Sequence, residues 1–249
     1  MLHGLTASRR YVVMGSTALQ RSGRRVISYD ARGHGASSPA AGGDYGYDVL
    51  AADLLAVLDG AGAERALIAG ASMGAHTAVR FALEHPGRVA ALGLITPAFD
   101  PAGHAEGLAR WDALAQGLRR GGIDGFVQAY HVEEAPEQWR ETIERVLRQR
   151  LAAHEHPAAV ADALEAVPRS RPFESMGDLE TLTMPALVVA SRDEADPGHP
   201  LRVGRAWAEA IPGAGLLVED EGPPARSPIA WQGGQLSRAL IELAESAGT

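Results

Sequence analysis

The chain has 249 residues, a formal net charge of -8, 46% hydrophobic and 22% charged residues, which is enough apolar sequence for one sizeable globular α/β core and unlike a disordered or fibrous chain. The acidic balance leaves no general electrostatic grip on nucleic-acid phosphates, and the lack of cysteine excludes disulfides, thiolate metal sites and cysteine nucleophiles. All 23 basic residues are Arg, so a pyridoxal Schiff base, a phosphate-loop lysine and a Ser-Lys dyad are excluded as well. No apolar run approaches the roughly 20 residues that span a bilayer, and the N-terminus does not read as a signal peptide. The expectation is a cytoplasmic protein with neither membrane nor nucleic acid as partner.

In chain order, Arg24 to Asp30 reads as a short strand ending in the turn-rich segment Arg32 to Ser38. From Tyr47 to about Leu58, Val49, Leu50, Leu54, Val57 and Leu58 recur at helical spacing. Ala66 to Ala69 is a compact buried strand, Ser72 to Glu84 a helix closed by His85-Pro86-Gly87, and Val89 to Ile95 another strand. From about Pro101 to Leu182 the pattern is helical without a convincing strand. Strand signals resume at Ala186 to Ala190, followed by a helix over Leu201 to Ile211, a strand over Gly215 to Glu219 and a closing helix over Leu236 to Glu245. Alternating strands and helices predict an α/β fold with a mostly parallel sheet flanked by helices. Its core is expected from residues 1–100 and 183–249, with a helical cap from 101–182.

The segment Gly70-Ala71-Ser72-Met73-Gly74 places a serine between glycines, after a buried strand and before a helix. This is the pattern of a nucleophile elbow: a β-carbon at either flank would clash, and the turn lifts the hydroxyl above the sheet edge. It also puts the Met73 N–H at a helix N-terminus, where it can meet a developing oxyanion. The competing reading is a glycine-rich turn with an N-capping serine.

Together with Leu2-His3-Gly4-Leu5, Asp30 to Ser37, His85 to Val89 and Asp196-Pro197-Gly198-His199-Pro200, that turn resembles the α/β-hydrolase superfamily, especially its lidded esterases and lactonases. The resemblance covers nearly the whole chain outside 101–182. It implies Ser72 as nucleophile, the N–H groups of Leu5 and Met73 as oxyanion hole, and a helical cap. It also implies a catalytic acid after the strand ending at Ala190, with Asp193, Glu194 and Asp196 as candidates. Asp196 is favoured for its Asp-Pro-x-x-Pro pattern.

The chain departs from the family in two places. Relatives carry the catalytic His after the last strand, where this sequence reads Glu221 to Pro228, and no histidine follows His199. A serine hydroxyl without a base is a weak nucleophile. His199 is the nearest substitute by topology. His76 reads as a packing or hydrogen-bonding residue, and His3 and His34 as loop-fixing groups. His104, His131, His154 and His156 belong to the cap, and the sequence does not choose among them. His154-Glu155-His156 is no metal motif, because side chains two apart on a helix diverge. The second departure is the start at Met1-Leu2-His3, where relatives have a central strand. Either the reading frame starts upstream or the neighbouring strands close up. Trp231 and Gln232 could line the pocket, or Trp231 could pack under the final helix.

The reading is a serine-dependent hydrolase of a small carboxylic ester or lactone using Ser72, Asp196 and His199, with no cofactor and no metal. The alternatives are a catalytically silent ligand-binding protein or a non-hydrolytic enzyme on this fold. Substrate identity and oligomeric state are not legible.

Overall fold

The computed structural model describes residues 1–103, 107–192, 196, 198–219 and 228–248. Four parallel strands form its sheet in the order β1 (Ala66–Ala71), β2 (Val89–Ile95), β3 (Ala186–Ala190) and β4 (Gly215–Val218). Every residue of β2 is buried, as expected of a strand covered on both faces.

Alternation along the strands sends Ile68, Leu92, Leu94 and Val188 to one face and Ala69, Ile95 and Val189 to the other. On the first face lie α2 (Tyr47–Gly60), α3 (Met73–Glu84) and α7 (Leu201–Ala210), with Leu54, Leu58, Val79, Phe81, Val203 and Trp207 closing the core. On the second face, α1 (Ala18–Arg21) and α8 (Gly233–Ser246) contribute Leu19, Leu236 and Leu240. Two close approaches fix these layers. A Cβ at Gly204 of α7 would sit 2.6 Å from the Ala190 Cβ, and one at Gly93 of β2 would sit 2.5 Å from Leu240 Cδ2.

Between β2 and β3 the described chain is helical: α4 (Leu108–Tyr130), α5 (Glu137–Leu151) and α6 (Pro157–Ala166). α4 is broken at Gly122, where φ is 57° and ψ is -142°. Phe126, Leu147, Leu151, Val160 and Leu164 of this segment share one apolar cluster with Leu5, Tyr47, Leu50 and Met73. The helical segment is therefore packed directly over the Leu5 loop and the start of α3.

Residues 24–30 form no strand, contrary to the sequence expectation. The physical reason lies next door. Leu2 makes a single parallel bridge to Gly70, with its N–H on the Ala69 carbonyl at 2.8 Å and its own carbonyl accepting from the Ala71 N–H at 3.0 Å. On the other side, the Met1 amine donates to the Ile27 carbonyl at 2.8 Å. Residues 1 and 2 thus stand between β1 and the 24–30 segment, which have not closed onto each other here. β4 ends at Val218, one residue before the expected Glu219.

Candidate active site

Three segments meet at the C-terminal edge of the parallel sheet: the turn from β1 into α3, the loop after Leu2, and the loop after β3. In the first, Ser72 has φ 51° and ψ -115°, a left-handed backbone for a residue with a β-carbon, which costs on the order of 1–3 kcal/mol. The turn is held by the Ser72 N–H donating to the Ile95 carbonyl at 2.9 Å, and by the Ser72 carbonyl accepting from the N–H groups of Ala75 and His76. The flanking glycines are required by space. A Cβ at Gly70 would collide with the Gly74 carbonyl, and one at Gly74 with the Leu2 carbonyl.

The second segment runs beside the first. A Cβ built on Gly4 would come within 3.4 Å of the Ser72 Cβ, so the absence of a side chain lets residues 3–6 pass against Ser72. His3 fixes this loop: its Nε2 accepts from the Ala31 N–H at 2.8 Å, which leaves Nδ1–H to donate to the Gly4 carbonyl at 2.9 Å. Burial lowers the His3 pKa to about 4, so the ring is neutral near pH 7. Among the described residues nothing accepts from the N–H of Leu5 or of Met73, which leaves two unspent backbone donors flanking Ser72.

The helical segment grips this same loop. His154, in the connection between α5 and α6, accepts from the Gly35 N–H at 2.8 Å through Nδ1 and donates to the Thr6 carbonyl at 3.0 Å through Nε2. Arg150 of α5 donates from Nη2 to the Leu5 carbonyl at 2.8 Å and to Thr6 Oγ1 at 3.0 Å. Thr6 itself has φ 64°, so these bonds hold a strained β-branched residue next to the Leu5 donor. The rings of His3, His34 and His154 stand in a row, 5.2 and 5.6 Å between centroids. His34 and His154 are also held below the ordinary imidazole pKa, chiefly by burial.

In the third segment, His199 Nδ1–H donates to both carboxylate oxygens of Asp196 at 2.9 Å. That bond sets the tautomer and leaves Nε2 as an acceptor. Burial pushes the His199 pKa down, but the charge and hydrogen bond of Asp196 outweigh it and the net shift is upward. The charge of His199 is felt at His76, one turn into α3. The structure thus brings the Asp196–His199 pair to the sheet edge that carries Ser72. It does not join them: Ser72 Oγ has no hydrogen-bond partner among the described residues.

The other histidines have different employment. Burial lowers His76 to about pKa 3. Its Nδ1 is 2.8 Å from the Tyr47 hydroxyl, and its Nε2 accepts from the N–H groups of Ala98 and Phe99 at 3.0 and 3.2 Å. His131 is exposed and pairs with Glu133, and His156 precedes α6 as its N-cap residue. His104, Asp193, Glu194 and the segment 221–227 lie outside the described residues. No cluster of His, Asp and Glu among the described residues is arranged to hold a metal ion. Trp231 packs edge-on against Trp139 of α5 at 5.6 Å between centroids and also against the apolar cluster that holds Leu236 and Leu240 of α8.

Arg150 and Glu219 escaped the sequence reading. The Glu219 carboxylate accepts from the Arg192 N–H at 2.7 Å and the Ile229 N–H at 3.3 Å, tying the loop after β3 to the entry of α8. Neither residue belongs to a motif. The one available signal for Arg150 was an arginine in a helix whose apolar stripe faces the core.

The model of the alpha/beta hydrolase fold family matches residues 1–224. The chain belongs to the α/β-hydrolase family. Over 209 residues it is 32% identical to a 2-hydroxy-6-oxononadienedioate/2-hydroxy-6-oxononatrienedioate hydrolase of Pseudomonas putida, covering 80% of this chain and 70% of that one. It is 31% identical over 179 residues to RutD of Variovorax paradoxus, named as a candidate carbamate hydrolase, covering 72% of this chain and 66% of the relative. Among solved structures, MenH of Staphylococcus aureus superposes with a TM-score of 0.80 at 19% identity, over 100% of this chain and 93% of that one. The enol-lactonase of Burkholderia xenovorans superposes at 0.74 and 22%, over 98% and 89%. These structural likenesses concern the fold. The named sequence relatives are hydrolases, which supports a hydrolase of this fold. No helix among the described residues is long and apolar enough to cross a membrane.

Proposed function

We propose that this α/β-hydrolase-family chain is a serine hydrolase of a small carboxylic ester or lactone. The observation that carries the reading is the Ser72 turn, a strained left-handed serine between two glycines that tolerate no Cβ. Strain of this kind persists where surrounding structure enforces it, and here it presents a hydroxyl beside two unspent N–H donors.

In the proposed mechanism the substrate carbonyl oxygen lies between the N–H groups of Leu5 and Met73, and Ser72 Oγ attacks the carbonyl carbon. The hydroxyl proton passes to His199 Nε2, the imidazolium being stabilised by Asp196 through Nδ1–H. His199 then gives that proton to the leaving alcohol, and a water activated by the same base releases the acid. Since Ser72 and His199 are not bonded without substrate, this contact must tighten on binding, as catalytic hydrogen bonds often do. Residues 101–182 act as a cap, their apolar side chains together with Leu5 and Met73 keeping water from the reacting carbonyl.

The test is turnover of short-chain esters and lactones by the wild-type chain, Ser72→Ala and His199→Ala. Turnover that falls by roughly 10³-fold or more in both variants supports the reading. Turnover absent from the wild type, with an apolar ligand that still raises its melting temperature, supports instead a silent binding protein. The unbonded Ser72 hydroxyl is what favours that second reading.

A further inference from the structure

We propose that Arg150 recognises a carboxylate on the acyl part of the substrate, making the preferred substrate an anionic ester or lactone; this rests on the hydrolase reading above. Arg150 reaches from α5 to the Leu5 loop, and its position there is unusual for a cation. Its Nη2 is spent on the Leu5 carbonyl and Thr6 Oγ1. Its Nε is buried without an acceptor, and Nη1 has no hydrogen-bond partner among the described residues. Other arginines of the helical segment, such as Arg119, Arg148 and Arg169, pair with carboxylates, whereas no described carboxylate lies within ion-pair distance of Arg150. The acid whose charge reaches it, Asp196, is already bonded to His199 on both oxygens.

A guanidinium carries a fixed charge and five donors, and with Nη2 committed to the Leu5 loop, Nη1 is left to give a charge-assisted bond to a carboxylate. Burying part of that group without a counter-charge is costly, and burial already depresses the Arg150 pKa. A substrate carboxylate would offset that cost, and a neutral ester would not. The location also sets where the carboxylate must be. Arg150 bonds the carbonyl of Leu5, whose N–H is to hold the reacting acyl oxygen, so the anionic group belongs on the acyl chain a few bonds from that carbon. Leu5, Tyr47 and Met73 belong to the apolar cluster packed around the same loop and suit the intervening methylenes.

Two pairs of probes matched in chain length, one member ending in a carboxylate and the other in a methyl, test this. In the first arm, hydrolysis of monoethyl glutarate and ethyl pentanoate is followed by pH-stat titration in the wild type, Arg150→Gln and Arg150→Lys. The quantity read is the ratio of the two kcat/KM values, in which any general loss from a loosened Leu5 loop cancels. The expected result is a wild-type preference for the anionic ester, a fall in that ratio of roughly 10- to 100-fold in Arg150→Gln, and partial retention in Arg150→Lys. In the second arm, glutaric acid monoamide and pentanamide are titrated calorimetrically into Ser72→Ala and into Ser72→Ala with Arg150→Gln, so that no turnover is needed. Tighter binding of the anionic amide, lost with Arg150, upholds the proposal even if no ester is hydrolysed, in which case the ester reading alone falls. Equal handling of anionic and neutral probes, or a ratio unchanged by Arg150→Gln in folded protein, overturns it.

Discussion

Acidification from pH 6.5 to 4.5 is expected to destabilise this protein through its buried neutral histidines. His3 and His76 have pKa values lowered to about 4 and about 3 against an ordinary 6.5, and both spend their rings on backbone N–H groups that an imidazolium could not serve. Below pH 6.5 the unfolded chain binds protons that the native chain refuses, so stability falls with pH. Integrating over this window gives about 2 kcal/mol from each residue, or roughly 4 kcal/mol together, a large share of the 5–15 kcal/mol typical of a whole domain. His199 adds little to this slope, because its raised pKa leaves the native ring charged below 6.5 while the unfolded ring charges over the same range. It acts above 6.5, where stability from its pairing with Asp196 is lost as pH rises through the folded pKa. Urea unfolding followed by Trp fluorescence at half-unit steps gives the midpoint, which should fall steadily from pH 6.5, and less steeply in His76→Gln. A midpoint that stays flat down to pH 4.5 would refute the reasoning.

Gly74→Ala should lower stability by about 1–3 kcal/mol, since its Cβ meets the Leu2 carbonyl; thermal unfolding checks this, and an unchanged melting temperature would contradict the tight turn. His154→Ala should cost about 2–4 kcal/mol by leaving the Gly35 N–H and the Thr6 carbonyl without partners, with His154→Gln recovering part of the loss in the same denaturant titration. The kcat/KM of the wild type should rise with pH through an inflection above 6.5, because His199 must be neutral to take the Ser72 proton and Asp196 holds its pKa up. In Asp196→Asn that inflection should drop, burial then acting without a counter-charge. An inflection that does not move would remove Asp196 as the partner.

Most of the fold was legible because each strand and helix carries its own pattern. Val89 to Ile95 and Ala186 to Ala190 are apolar runs bounded by turn residues, and both form strands over those residues. Arg24 to Asp30 has the same look and forms none, because a strand depends on its neighbour, and here the contact is the Met1 amine on the Ile27 carbonyl rather than a ladder. The Ser72 turn was readable for a local reason: glycines at both flanks serve contacts within a few residues of the serine or with Leu2. The Arg150 grip on Leu5 and the Glu219 bridge from Arg192 to Ile229 were not readable, since they join residues far apart in sequence through backbone groups that carry no residue-type signal. The choice among the histidines likewise required seeing which ring nitrogens were already committed.

The most direct test of the central claim is intact-mass analysis after treatment with a fluorophosphonate, with peptide mapping and Ser72→Ala as control. A single adduct at Ser72, absent from the variant, is the expected result and requires a base within reach of that hydroxyl. A folded wild-type protein that takes up no label, or takes it elsewhere, would contradict Ser72 as the nucleophile.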